Sequence, residues 1–249
     1  MATHQWDAQT YDRIADPQTR WGATVLDRLE LRGDERVLDA ACGTGRVSEQ
    51  LLERIPRGKL VALDGDAAMI AEARGRLARF GEQVEFVVAD LLDPLPIGGG
   101  PVDAGFSTAA FHWIKDHDRL FANLAAGLRP GGQLVAQFGG EGNIETVLRA
   151  ICAAGDDWEG PWCYPTVELT RARLESAGFP GPQVWLNLEP TPFETSEDFS
   201  TFLEKVILGA HLMRKPESER DPFVRAVVAN MAKPEIDYVR MNIVARKAG

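Results

Sequence analysis

Five short apolar runs, each followed by a turn and most by a segment of helical spacing, constrain this chain more than any other feature. They are Arg36–Ala40, Lys59–Asp64, Val84–Ala89, Val102–Ser107 and Gln133–Phe138. Each is apolar on both faces and bounded by Gly, Pro or Asp, as a strand buried in a parallel sheet requires. Between them apolar residues recur at helical period. Met69, Ala73, Leu77 and Phe80 share one stripe of a helix that Asp66 caps and Gly81 ends. Leu120, Leu124 and Leu128 form a second stripe, begun near Asp116 and stopped by Pro130-Gly131-Gly132. Alternating strands and helices imply βαβ units. Their right-handed crossovers imply a doubly wound α/β fold, an open sheet with helices on both faces.

The last third changes character. Thr166–Ala177 has helical spacing and ends in Gly178, and Gln183–Leu188 follows as a strand. Ser196–Met213 and Asp221–Met231 have helical spacing, and Tyr238–Arg246 alternates as a terminal strand. The two helical stretches between these strands are expected to form a helical cap over one end of the sheet. The 249 residues are expected to form a single domain.

The chain carries 27 basic and 37 acidic residues, a net charge of −10. This disfavours nucleic acid as a partner, because phosphate binding needs a basic footprint. Cys42, Cys152 and Cys163 form no CxxC pair and the four histidines form no HExxH. No metal site is therefore expected, and a reducing compartment is. The N-terminus is polar rather than a signal peptide, and no apolar run approaches the length that spans a bilayer. A soluble cytoplasmic protein with a small-molecule partner and no membrane contact is expected, as monomer or homodimer.

The first strand runs into Asp39-Ala-Ala-Cys-Gly43-Thr-Gly45-Arg-Val-Ser48. Glycines between a buried strand and a helix let a ligand approach the backbone. A diphosphate-binding loop would carry a third glycine where Ser48 stands, and the carboxylate of Asp39 suits a cation better than a phosphate. A cationic nucleoside without phosphates fits, and S-adenosylmethionine is one. Asp64 ends the second strand 19 residues beyond Gly45, where a carboxylate can accept ribose hydroxyls; the alternative is that it only starts a turn with Gly65. Asp66 is the better helix cap. Asp90 and Leu91 end the third strand and suit adenine, with Met69 or Leu91 against the ring.

VLDAACGTG (37–45), LVALDGDAAMI (60–70), FVVADLLDPLP (86–96), VDAGFSTAAFHWI (102–114) and LRPGGQLV (128–135) resemble the ordered motifs of class I S-adenosylmethionine-dependent methyltransferases. The resemblance covers residues 34–138. It implies a mostly parallel seven-stranded sheet, three layers deep, whose last strand, here 238–246, is antiparallel. It also implies S-adenosylhomocysteine as product. Residues 1–33 then form an N-terminal helical flap, 34–138 the cofactor-binding core and 139–249 the substrate-side elements, with a helical insertion at about 196–231. The chain departs from the motif at Ala41, where the first glycine usually stands.

On the cofactor side the expected residues are Tyr11, Asp39, Ala41, Gly43, Gly45, Asp64, Gly65, Met69, Asp90, Leu91 and Ser107. Tyr11 is assigned to the methionine carboxylate. On the acceptor side they are Arg20, Trp21, His112, Trp113 and Trp162. His112 either orients the acceptor or serves as general base, with His211 as a second candidate. The fourth strand lacks the Asn-Pro-Pro-Tyr of many nucleic-acid and protein-glutamine methyltransferases. The segment FHWIKDHDRLFANLAAGLRPGGQLVAQ is similar to the trans-aconitate methyltransferase group, which implies O-methylation of a small carboxylate. The alternatives are a natural-product O-, N- or C-methyltransferase with a larger apolar acceptor, and a non-catalytic scaffold on the same fold.

Overall fold

The computed structural model describes the backbone from Asp16 and side chains from Trp21 onward. Helix α1 (Asp16–Leu26) precedes β1 (Arg36–Ala40), α2 (Arg46–Arg54), β2 (Lys59–Asp64), α3 (Ala67–Arg76) and β3 (Val84–Val88). After them come β4 (Val102–Thr108), α4 (His117–Gly127), β5 (Leu128–Gly139), α5 (Glu145–Ala153), α6 (Val167–Ser176) and β6 (Gln183–Pro192). The chain then runs through α7 (Ser196–Phe202), α8 (Gly209–Met213) and α9 (Glu217–Ala229) into β7 (Glu235–Arg246).

The seven strands form one sheet in the order β3-β2-β1-β4-β5-β7-β6. β7 runs antiparallel to both of its neighbours, and the other pairs are parallel. Alternate residues of each strand feed two cores. Leu38, Val61, Leu134 and Ile243 meet Leu120 and Phe121 of α4 and Leu174 of α6 on one face. Val37, Leu60, Phe106 and Val135 meet Leu26 of α1 and Leu51 of α2 on the other. A third cluster joins Phe199, Phe202, Leu208 and Phe223 of the cap to Val147 and Ile151 of α5 and to Trp21 and Tyr238. The order reverses between β1 and β4, and in such sheets the crevice beyond the strands' carboxyl ends at that point takes the ligand.

Several boundaries differ from expectation for tertiary reasons. The α4 stripe ends at Gly127, and Leu128 instead opens β5, pairing with Val102 before a register shift that contains Pro130-Gly131-Gly132. β6 and β7 are both longer than their apolar runs, because they pair with each other from Gln183↔Val244 to Pro192↔Glu235. Pro190 and Pro192 are tolerated there because β6 is an edge strand. Helix α9 begins four residues before Asp221, with Pro222 inside its second turn. The stretch 196–213 is interrupted by a π-helical turn at Leu203–Ile207.

Candidate active site

The loop after β1 is shaped by three left-handed residues: Ala41 (φ 71°), Gly43 (φ 54°) and Gly45 (φ 80°). The backbone N–H groups of Ala41 and Cys42 both donate to the Leu63 carbonyl, at 2.8 and 2.9 Å, which pins the loop to the end of β2. A side chain at Gly43 would meet nothing within 4 Å, so the loop presents an open face there. Asp64 stands behind it. Its Oδ2 accepts the Gly43 N–H at 2.8 Å and its Oδ1 the Asp66 N–H at 2.9 Å. Burial raises its carboxyl above the usual range, while those backbone donors pull the other way. Asp66 is the cap of α3, accepting from the Ala68 N–H at 2.8 Å.

Asp39 lies beneath the loop, only 2% exposed, and accepts from the Ser48 hydroxyl at 2.6 Å. Burial pushes its carboxyl up to about 7, the Ser48 bond opposing and nearby Asp64 adding to the rise. Ser48 thus fills the place of a third glycine by satisfying a buried carboxyl. Ser107 is also buried, its hydroxyl donating to the Ala40 carbonyl at 2.7 Å. These two side chains prop the loop and the β1–β4 pair rather than lining an open surface. At the next strand ends, the Ala89 N–H donates to the Asp64 carbonyl, and Asp90 Oδ1 accepts the Leu92 N–H at 2.9 Å. Met69 and Leu91 are buried close by in sequence, and Gly65 is exposed. Tyr11 lies outside the described residues, as does the side chain of Arg20.

The acceptor-side candidates Trp21, His112, Trp113 and Trp162 come from three different parts of the chain, yet all line one cavity of about 50 Å³. Ala109 (φ 57°) and Ile144 (φ 53°) also line it. Together with Ala41 they are the non-glycine residues held left-handed among the described residues. Such strain gathers at functional sites, where the surrounding structure enforces it. Trp162 packs against Gly160, where a side chain would collide with its ring at 2.5 Å.

His112 Nδ1 accepts the Gly139 N–H at 3.3 Å, a pattern that assigns the ring proton to Nε2. Burial first, then the positive field of Arg240 and His117, holds this imidazole well below its ordinary pKa, so it is neutral at pH 7. The backbone of the same turn is tied to the aromatic loop, the Cys163 N–H donating to the His112 carbonyl at 2.8 Å.

Tyr164 belongs to the aromatic loop that the sequence offers as an acceptor-pocket wall, whereas the polar lining residues Asn143, Tyr238 and Arg240 escaped the sequence analysis. Arg240 projects from β7 and is 2% exposed, its guanidinium 4.6 Å above the Trp21 ring. Trp21 in turn meets Tyr238 edge to face at 5.1 Å. Burial raises the Tyr164 phenol, with Asn143 and Arg240 opposing. A signal was present: Arg240 and Asn242 share one face of β7 with Tyr238 and Val244, and an arginine at an inward-facing strand position is rarely buried without a task.

His211 does not line the cavity. It is wholly buried behind Trp162, its Nδ1 3.1 Å from Asp156 Oδ2, which Lys215 also contacts at 3.1 Å. Burial lowers the imidazole's pKa against the pull of Asp156. Among the described residues, no three His, Cys, Asp or Glu side chains are grouped to hold a metal. No described helix is long and apolar enough to cross a membrane.

Residues 37–132 match the methyltransferase-domain family. The chain is similar to a trans-aconitate 2-methyltransferase of Variovorax paradoxus, 35% identical over 68% of this chain and 62% of that protein. It is also similar to one of Methylobacterium nodulans, 35% identical over 73% of this chain and 67% of that protein. Across the first such curated relatives, the matches span between half and two thirds of the relatives' length. In fold it is similar to phosphoethanolamine N-methyltransferase 2 of Haemonchus contortus, solved with S-adenosylhomocysteine (TM-score 0.62, 19% identity, covering 97% of this chain and 56% of that one).

Proposed function

Because the chain belongs to the class I S-adenosylmethionine-dependent methyltransferases, we propose that it methylates an oxygen of a small carboxylic acid. The observation that carries this is the buried Arg240 guanidinium in the cavity wall, stacked on Trp21. A fixed guanidinium suits a carboxylate, which it can bind through two parallel hydrogen bonds. The curated relatives named as trans-aconitate 2-methyltransferases support the same class of acceptor.

The residues present fit the cofactor. Gly43 leaves the loop face open, and the Asp64 oxygens, each accepting one backbone N–H, keep lone pairs for ribose hydroxyls. Asp90, Leu91, Met69 and Gly65 would hold the adenine end, and Tyr11 the methionine carboxylate. Asp39 and Ser107 would act from beneath the loop. When bound, S-adenosylmethionine supplies a methyl group on a sulfonium, whose transfer to a carboxylate oxygen leaves a neutral ester and a neutral thioether.

That chemistry needs no base, because carboxylates ionise at a pH of about 4. The His112 arrangement supports this. Its Nδ1 lone pair is taken by Gly139, so the ring is set to donate from Nε2 and orient the acceptor. A phenol, amine or carbon acid would need a base. The Asp156–His211 pair has that form, but it lies behind Trp162, which favours the carboxylate. We read the chain as one domain in which α1 and the preceding residues flank the cofactor side and the cap covers the acceptor. A monomer or homodimer in the cytoplasm suits a small-molecule enzyme of this kind.

Calorimetric titration with S-adenosylmethionine and S-adenosylhomocysteine tests the premise. Wild type should bind with micromolar affinity, and Asp64→Ala, checked for folding by circular dichroism, should lose at least tenfold (about 1.4 kcal/mol). Well-folded wild type that binds neither would sink the proposal.

A further inference from the structure

We infer that Trp162 decides the class of acceptor: it screens a ready-formed base, the Asp156–His211 pair, from the cavity and so confines methyl transfer to acceptors that ionise unaided. The inference rests on the carboxylate reading and assigns that selectivity to one side chain. His211 stands four residues beyond Ile207, which lines the cavity, and its ring centroid lies 5.8 Å from that of Trp162, which lines it too. A side chain at Gly160 would collide with the Trp162 ring at 2.5 Å and meet His211 Nε2 at 3.4 Å. Nε2 is therefore on the side of the indole that forms the cavity wall, while Nδ1 faces Asp156.

The pair is set up as a base. Burial works to raise the Asp156 carboxyl, but the bonds from His211 and Lys215 hold it down, at about 2, so it is ionised. An ionised carboxylate only accepts, so Nδ1 carries the proton and Nε2 the lone pair. That lone pair is buried and has no hydrogen-bond partner among the described residues. A buried acceptor left unpaired costs free energy that an apolar side chain of similar shape would avoid, so packing alone does not account for an imidazole here. The ring is also held fast, with Trp158 at 4.8 Å and Phe223 at 6.3 Å between centroids, Arg214 over Trp158 at 4.1 Å and Lys215 over Phe223 at 4.2 Å. A base oriented by a carboxylate and locked by its neighbours is the form that proton transfer needs.

A phenol ionises only at a pH of about 10 and needs that help. With the indole removed, its hydroxyl would give its proton to His211 Nε2 as the oxygen lone pair forms the new bond to the methyl carbon. The electrons of the broken carbon–sulfur bond stay on sulfur, giving an aryl methyl ether, S-adenosylhomocysteine and an imidazolium paired with Asp156.

The test compares wild type with Trp162→Ala, both checked by circular dichroism. Diethyl pyrocarbonate, which acylates unprotonated imidazole, reads the screening without cofactor or acceptor. Mass spectrometry should find His211 at least tenfold more reactive in the variant. With S-adenosylhomocysteine release followed, 4-methylphenol should gain at least tenfold in kcat/KM, and Trp162→Ala/His211→Gln should lose that gain. The calorimetric Kd for S-adenosylmethionine should stay within twofold throughout. Trp162→Leu, which keeps an apolar wall, serves where the larger truncation does not fold. Equal reactivity of His211 in wild type and variant, no phenol gain, or a gain that survives His211→Gln overturns this inference and leaves the carboxylate reading standing. Wild-type transfer to 4-methylphenol but to no acid of a panel including trans-aconitate, with S-adenosylmethionine still bound, overturns both.

Discussion

Ala41 occupies a backbone conformation that glycine adopts at no steric cost, and its methyl group pays for that position in local strain of roughly 1–2 kcal/mol. The two backbone bonds to Leu63 hold it there. Ala41→Gly should therefore stabilise the protein by roughly 1 kcal/mol, the relief of strain outweighing the added freedom of the unfolded chain. Urea unfolding measures it, and a lower midpoint in the variant would show that the methyl's packing matters more than its strain. The loop's residues were legible in the sequence because glycine spacing encodes backbone conformation directly. The partnership of Ser48 with Asp39 was not: nothing in the spacing tells whether a carboxylate faces the ligand or a hydroxyl beneath the loop. Arg240 was missed for a similar reason, since an alternating strand does not say which of its faces opens on a cavity.

At the scale of elements, caps and stripes carried most of the information. Asp66, Asp116 and Thr166 cap α3, α4 and α6 through their side chains, accepting from Ala68, Arg119 and Leu169 N–H groups. The first two were named from sequence, and the third heads its expected helix. Asp66 and Asp64 are two residues apart and do different work. Asp66→Ala should cost about 1 kcal/mol of stability, as a lost cap does, while S-adenosylmethionine affinity stays within twofold. Thermal unfolding and calorimetry on that one variant separate the two effects, and a tenfold loss of affinity would assign Asp66 to the ligand instead. Strand ends were less legible, because β6 and β7 extend each other by pairing well past their apolar runs. The π-helical turn at Leu203–Ile207 was hidden altogether, since one extra residue in a turn barely disturbs the helical stripe of Phe199, Phe202 and Leu203.

Across the whole molecule, the cap and the sheet share one cavity that is partly open to solvent. Val206 and Ile207, carried on the π-helical turn, form its cap side. Amides of residues 196–231, on short helices interrupted by that turn, should exchange hydrogen faster than those of β1, β4 and β5, and slow when S-adenosylhomocysteine and the acceptor acid are both bound. Hydrogen-exchange mass spectrometry reads both, and equal protection of cap and sheet would mean that the acid enters without opening the cap. The sequence alone determined the strand–helix alternation, the glycine loop, the acidic residues at successive strand ends and the resemblance that follows from their order. All of these are written in short stretches, where period, turn residues and caps act on neighbours. Only the tertiary structure brought Trp21, His112, Asn143, Trp162 and Arg240 around one cavity. Their meeting depends on which strand lies beside which: β5 set against an antiparallel β7 puts Gly139 opposite Arg240, and Asn143 Oδ1 accepts the Val239 N–H at 3.0 Å. Such long-range pairing is decided by the burial of whole faces, which no local stretch of sequence contains.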